Sequence, residues 1–381
     1  MKDKMIKLIL VGLILAVMSP LAIAYPPDNA AVLYYKAFLM YEVDDDMGNM
    51  LGKLRKGKIE LNDEIREFVK KNKSVIETVL DGSEIEKCDW GSDLSLGFDL
   101  EVPYLGKLRR IVNLLCADTM ILIEQGSYAD AINRYICIYK MARHVNDYIA
   151  IGNLVGASCN VLANRGLVKT LSDMPVDIEM LEMLKNKLSE IDAIPFSMEP
   201  AFKCERQVIL STLTMEKKGS FVKWIDPGNE ALEKIILEAD EPFLAKNRAY
   251  WNELMDGMED AFKLPYVQAF EKLRELEKQA LSDEVKKKTP LVYHCLGAWA
   301  NIYSSNIRWQ SGFNAVKAAV DVYMIKAKTG KLPDELPAGL PIDMFSGKAF
   351  EYKKTGDGFV LKCPGKELRK GETYEYKFTV K

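Results

Sequence analysis

The sequence predicts a mainly α fold: a multi-helix bundle of helical hairpins that carries a small C-terminal antiparallel β-sheet module, an α+β arrangement. Three observations carry that expectation. Apolar residues recur at helical spacing through most of residues 30–328, the period of amphipathic helices. Residues 149–171 are apolar on nearly all sides and rich in small residues (Gly152, Gly156, Ala157, Ser158, Cys159, Ala163, Gly166). A helix that is hydrophobic all round needs cover all round, so this span is expected to be the buried axis. Strict alternation appears only at the end, where Tyr374, Tyr376, Phe378 and Val380 interleave with Glu375, Lys377 and Thr379, the period of a half-buried strand.

Bulk properties narrow the class. A chain of 381 residues, 48% apolar and 28% charged, is that of a folded globular protein. Its net charge of −3 comes from 52 basic and 55 acidic residues, which argues against nucleic acid as a partner, because such binders concentrate a basic excess on one face. The expected organisation is a leader over residues 1–24, a helical domain over 25–290, and a long helix with a three-stranded module over 291–381.

The leader is read from its three-part layout. Lys2, Lys4 and Lys7 precede the apolar run Leu8–Met18, followed by Ser19-Pro20 and the small-residue site Ala22-Ile23-Ala24, the pattern of a signal peptide cleaved before Tyr25. The run is short for a spanning helix, and no cysteine stands at the cleavage point to take a lipid. A secreted protein, periplasmic or extracellular and with no membrane span after cleavage, is the expectation; an uncleaved N-terminal anchor is the alternative. Seven cysteines leave at least one unpaired. Cys116, Cys137, Cys159 and Cys295 sit in apolar helical text, whereas Cys88, Cys204 and Cys363 sit where pairing is conceivable. Without any Cys-x-x-Cys, mostly free thiols in a packed interior are expected.

The elements follow in order. Asn29 is placed to cap a first helix bearing Leu33, Tyr34, Ala37, Phe38 and Tyr41. Asp44-Asp45-Asp46-Met47-Gly48 reads as a solvated turn, because a calcium loop would need Glu at its twelfth position and Arg55 stands there. Gly52–Ile59 lacks the Ser/Thr and the preceding strand of a phosphate loop. Asn62 opens a second helix through Leu80 with Gly82 as its stop. Residues 83–104 are irregular, and their Trp90 makes this either a packed loop or a ligand loop. Three helices follow: one apolar around Leu114–Ile123, one amphipathic from Tyr128 to Asp147, and the 149–171 span. On the second, Arg143 and Asn146 share the stripe of Ile132, Tyr135, Ile136, Tyr139 and Ala142. Arg143 therefore either snorkels to water or lines a cleft with Asn146. Asp118, set in apolar text, needs a partner, and Arg109 or Arg110 is too far along its helix for an i,i+4 pair, so that partner must come from elsewhere. Helical text continues over Val176–Ile191, Met198–Met215, Glu230–Met258, Pro265–Lys288 and from about Leu291 to Lys328, where Thr329-Gly330-Lys331-Leu332-Pro333 stops it. Ala349–Lys354 and Phe359–Lys362 flank the hairpin turn Thr355-Gly356-Asp357-Gly358.

The residues that would carry catalysis are scarce. Only His144 and His294 are present, so a histidine-rich metal site is excluded on supply, and no cofactor or metal is expected. There is no His-Glu-x-x-His and no Gly-x-Ser-x-Gly. The residues that most resemble a ligand cleft are Asp89, Trp90, Asp93, Arg143 and Asn146. Two functions compete. The first is an exported, non-catalytic binding or scaffolding protein of the bacterial cell envelope, holding an envelope protein or polymer in its helical grooves. The second is a secreted hydrolase with a carboxylate-based site near residues 88–93.

Several phrases together carry a resemblance: CDWGSDLSLGF at 88–98, MARHV at 141–145, GNLVGAS at 152–158, and the tail pieces Gly330–Pro333, Asp343–Lys348 and Gly356–Phe359. They resemble an uncharacterised family of exported bacterial proteins abundant in planctomycetes, over most of the chain, and the resemblance implies no particular activity. The tail alone is similar to the C-terminal region of type II secretion pseudopilins, in which a long helix leads through such a turn to a small sheet.

Overall fold

The computed structural model describes residues 28–146, 149–193, 197–225 and 228–381; the side chains of Asn146 and Ile225 also lie outside the description. The expected leader, residues 1–24, is among the residues not described. Within the described residues sixteen α-helices precede one three-stranded antiparallel sheet, the mainly helical fold with a small β module that the sequence predicts.

Helix α1 (Ala30–Met40) is capped by Asn29, whose Oδ1 accepts Ala31 N–H at 3.1 Å. Where the acidic cluster reads as a turn, the chain instead starts helix α2 (Asp45–Arg55). Asp44 Oδ1 accepts Met47 N–H at 2.7 Å, and Asp45 and Asp46 lie in the first turn, where carboxylates meet the positive end of the helix dipole. The single helix expected from Asn62 breaks at Asn72 into α3 (Asp63–Lys71) and α4 (Lys73–Ser83). There the Asn72 amide turns back to donate to Phe68 O at 2.9 Å, and Gly82 lies inside α4 rather than ending it.

The central trio is present as α5 (Pro103–Glu124), α6 (Tyr128–Asn146) and α7 (Ala150–Asp173). Asp118 finds its partner across the helix pair, accepting from Arg134 Nε at 2.6 Å with both side chains mostly buried. The expectation for α7 needs correction. Ile151 is 53% and Leu154 40% exposed, and Ser158, Arg165 and Lys169 continue the wet side. An apolar composition is necessary for complete burial but does not produce it; neighbours must arrive on every side, and here they leave one side open.

Helices α8 (Ile178–Asp192), α9 (Glu199–Thr212), α10 (Lys218–Ile225), α11 (Glu230–Glu238), α12 (Glu241–Phe262), α13 (Tyr266–Ala280), α14 (Asp283–Lys288) and α15 (Pro290–Cys295) lead to α16 (Trp299–Thr329). Three long helices of the sequence reading are divided. Asp240 caps Phe243 N–H at 2.9 Å and separates α11 from α12, Ser282 caps α14, and residues 296–298 separate α15 from α16. Two of these breaks place a capping side chain where periodicity alone runs on. Most of the 31 residues of α16 are buried, Trp299, Phe313 and Tyr323 among them, so α16 is the axis of the fold.

Strands β1 (Glu351–Lys354), β2 (Gly358–Lys362) and β3 (Glu375–Thr379) pair in the order β1-β2-β3. Phe359 and Phe378 are cross-strand partners with rings stacked at 4.9 Å, and Tyr323 meets Phe359 edge-on at 5.5 Å. Tyr323 also donates to Thr379 O at 2.6 Å, and Thr379 N–H donates to Ser172 of α7 at 3.1 Å. The sheet thus closes over the ends of both helices. Two turns of the same build dock the rest of the tail. In Asp343–Lys348, Asp343 N–H donates to Lys348 O and Gly347 N–H to Asp343 O; in Glu367–Glu372, Glu367 N–H donates to Glu372 O and Gly371 N–H to Glu367 O. The leading carboxylate of each is buried against α16: Asp343 accepts from Ser311 at 2.7 Å and Glu367 from Ser304 at 3.3 Å. Ser304 and Ser311 are seven residues apart, two turns along one helix face.

Cys116, Cys137, Cys159, Cys295 and Cys363 are free thiols. Cys363, which the sequence left open to pairing, is buried beside Ser311, whereas Cys295 is less covered than its apolar text implied.

Candidate functional site

The residues singled out in the sequence divide between two places. Trp90 is only 5% exposed. Its ring stacks on Tyr104 at 4.3 Å and on Tyr34 at 5.6 Å, and Nε1–H donates to His144 O at 2.7 Å. That is the burial and polar satisfaction of a structural tryptophan. Asp89 and Asp93 are exposed and shape the loop: Asp89 Oδ1 accepts Gly91 N–H at 2.9 Å, and Asp93 Oδ1 accepts Ser95 N–H at 2.9 Å to start the 3-10 helix Leu94–Asp99. The hydrogen bonds from Ser95 hold the Asp93 carboxyl below its ordinary range, the opposite of the shift a general acid needs. The loop is tied down further on, where Phe98 N–H donates to Thr212 Oγ1 at 2.9 Å. Gly97, at φ 63°, presses against the same threonine. Arg143 is elsewhere, its guanidinium donating to Ile191 O at the end of α8. The Asn146 side chain lies outside the described residues.

Arg143 lines the cleft that we take as the candidate site. It has a volume of about 660 Å³, within the roughly 300–1,000 Å³ of small-ligand sites. Helices α6, α7, α8 and α16 and the loop 339–344 enclose it. Along α16 run Trp309, Gln310, Phe313, Asn314 and Lys317; opposite stand Leu340, Pro341, Ile342 and Met344. The two walls are joined by Asn314, which donates to Ile342 O at 2.8 Å. At one end Lys317 pairs with Asp192, and Arg143 donates to Ile191 O.

The floor comes from α7. Asn153, Asn160 and Asn164 share one face of that helix, at i, i+7 and i+11, and all three are buried. Asn153 accepts from Asn306 Nδ2 at 2.5 Å. Asn164 accepts from Tyr139 OH at 2.5 Å and donates to Trp309 O at 2.8 Å. These two fix α7 against α16. Asn160, between them and 6% exposed, lines the cleft, and its amide has no hydrogen-bond partner among the described residues. Gln310 likewise has none there. Neither amide is among the fully buried polar groups left without a partner, so both are open to solvent or to a ligand through the cleft.

Sequence reasoning missed Asn160, Gln310, Asn314 and Lys317, which lie about 150 positions apart along the chain in two groups. One signal was available: three asparagines on one face of an otherwise apolar helix, where each needs a partner. Among the described residues no group of three His, Cys, Asp or Glu is placed to hold a metal ion, and no helix is long and apolar enough to cross a membrane. Comparison with protein-family models, with curated proteins and with solved structures found no match to this chain.

Proposed function

We propose that this protein is an exported binding component of the bacterial envelope that holds its ligand in the cleft between α6, α7, α8 and α16 without transforming it. The observation that carries the reading is Asn160, whose amide lines a concave space of ligand size with no hydrogen-bond partner among the described residues, between two asparagines that bond across to α16. The cleft lining supports binding over catalysis. Among the described residues its one carboxylate, Asp192, is paired with Lys317, and its one serine, Ser197, accepts Glu199 N–H at 3.1 Å at the start of α9. Export rests on the Lys2–Ala24 layout of the chain.

Two measurements test the reading. A thermal-shift screen of the purified protein against peptide, glycan and lipid-headgroup fragments is expected to give stabilisation that Asn160→Leu abolishes, with the fragment recovered unchanged by mass spectrometry. Recovery of a cleaved fragment would establish catalysis and sink the proposal. Fractionation of producing cells is expected to place the chain outside the cytoplasm, starting at Tyr25. A cytoplasmic chain still carrying residues 1–24 would remove the envelope from the argument.

A further inference from the structure

We propose that a notch between α2, α5 and α7 binds a phosphate group. The notch lies on the other side of α7 from the cleft, because its Ser158 and Leu162 stand about half a turn round the helix from Asn160. The two sites therefore stand or fall separately.

The donors come from two helices. Arg55 closes the last turn of α2 and Arg109 lies on α5, and both line the notch with Asn113, one turn after Arg109. Neither guanidinium has an ion pair or hydrogen bond among the described residues, and the Asn113 amide has no partner there. Arg55 Nε is buried without a partner. Guanidiniums elsewhere are engaged: Arg66 with Glu124, Arg134 with Asp118, Arg206 with Asp256 and, beside the notch, Arg110 with Asp45. Two like charges that face one space with no carboxylate in its lining repel each other, and an anion between them turns that repulsion into attraction. Both charges reach the Cys159 thiol in the lining. Burial pushes that thiol up to about 12, and Arg109 and Arg55 oppose the rise.

Size and charge give the class of ligand. The notch has a volume of about 30 Å³, room for about two waters. That admits two oxygens of one oxyanion and no ring, so the rest of the ligand stays outside. A phosphate carries about two charges, which two guanidiniums match better than they match a lone carboxylate. Their planar forks each accept a pair of oxygens. The surroundings keep the same sign. Lys53, Lys56 and Lys58 at the end of α2 and Lys107 on α5 are exposed and have no ion pair among the described residues. In a chain of net charge −3 this is a local excess, which draws anions. The stretch Gly52–Ile59 thus lacks the backbone cradle of a phosphate loop and supplies cations instead. A free phosphate and a phospholipid headgroup share this chemistry.

The test uses the whole protein. Thermal shift at constant ionic strength reads inorganic phosphate, pyrophosphate and acetate. Sedimentation reads vesicles of phosphatidylcholine alone and of equal parts phosphatidylcholine and phosphatidic acid. Phosphate or its lipid ester is expected to bind and acetate is not. Arg55→Gln and Arg109→Gln should each weaken binding about tenfold, the loss of one charge-assisted contact. Lys234→Gln, which removes the same charge from α11, should leave binding within about twofold of wild type. The unligated melting temperatures of the two arginine variants should not fall, because neither guanidinium has a partner to lose. Arginine-dependent binding of phosphatidic acid vesicles with no response to free phosphate assigns a lipid headgroup, and the reverse assigns a soluble phosphate; either supports the site. An acetate response equal to that of phosphate, binding that both arginine variants leave intact, or no binding of any probe would overturn it. Asn160→Leu should bind phosphate as wild type does, so failure here leaves the cleft reading untouched.

Discussion

His144 shows how a single residue responds to its setting. On the sequence it sits on the flank of an amphipathic helix; in the fold it is buried, with Nδ1 at 2.8 Å from Tyr34 OH beneath the Trp90 ring system. Burial, aided by the nearby charges of Arg143 and Lys140, pushes its pKa down from 6.5 to about 4. The neutral ring is therefore the folded form. Between pH 6.5 and about 4 the unfolded chain binds a proton that the folded chain refuses, so stability falls as pH drops through that window and levels off below it. The loss is on the order of 3 kcal/mol if the shift is complete. Denaturant unfolding at pH 7 and pH 4.5 should show it, and His144→Asn should remove most of the difference. An unchanged pH dependence in that variant would mean other groups carry the effect. Trp90 teaches a related lesson: its residue type announces burial, but only its stacking on Tyr34 and Tyr104 shows that the loop is a lid on the core.

Among the elements, the packing of α6 on α7 depends on a missing side chain. Gly166 lies against the Tyr135 ring so closely that a Cβ there would fall inside its van der Waals surface, and Tyr135 is itself buried. Gly166→Ala forces the ring or the helix to shift. The expected destabilisation is about 2 kcal/mol, typical of an overpacked core, measurable by urea unfolding. A neutral effect would show that the pair can slide apart freely. The small residues of residues 149–171 are thus legible as a close-approach surface. Which face uses them is not, because periodicity describes one helix and contact requires two. The same limit explains the helix boundaries. Asp240 and Ser282 look like ordinary polar residues on continuous helical text, and they become caps only because the chain turns at those points to pack another element.

For the whole molecule, the decisive arrangement is the docking of the β module along α16. Asp343, fully buried, accepts hydrogen bonds from Ser311 Oγ, Ser346 Oγ and the N–H groups of Phe345, Ser346 and Gly365. Burial alone would raise its pKa, and these donors outweigh it and hold the carboxyl below its ordinary range. Its stabilising effect is present above the unfolded carboxylate pKa and is lost as pH falls through the folded value. Asp343→Asn brings an N–H₂ group towards donors and is expected to destabilise by about 3 kcal/mol. Because core residues from Ala30 to Phe378 form one cluster, calorimetry of this variant should still show a single transition at lower temperature. A separate early melting of the module would show that it folds independently of the helices.

The sequence by itself determined the class of the fold: helices where apolar residues keep a 3.6 period, strands where Tyr374 to Val380 alternate, a hairpin at Gly356-Asp357-Gly358, and a cap at Asn29. These are local properties, set by backbone geometry and nearest neighbours. Tertiary structure alone decided that α16 rather than α7 is the axis, that Asp89, Trp90 and Asp93 shape a packed loop, and that Arg143 joins Asn160, Gln310 and Lys317 around one cleft. The physical reason is that burial and concavity belong to surfaces brought together from distant segments. No single stretch of chain encodes which of its apolar or polar faces another will cover.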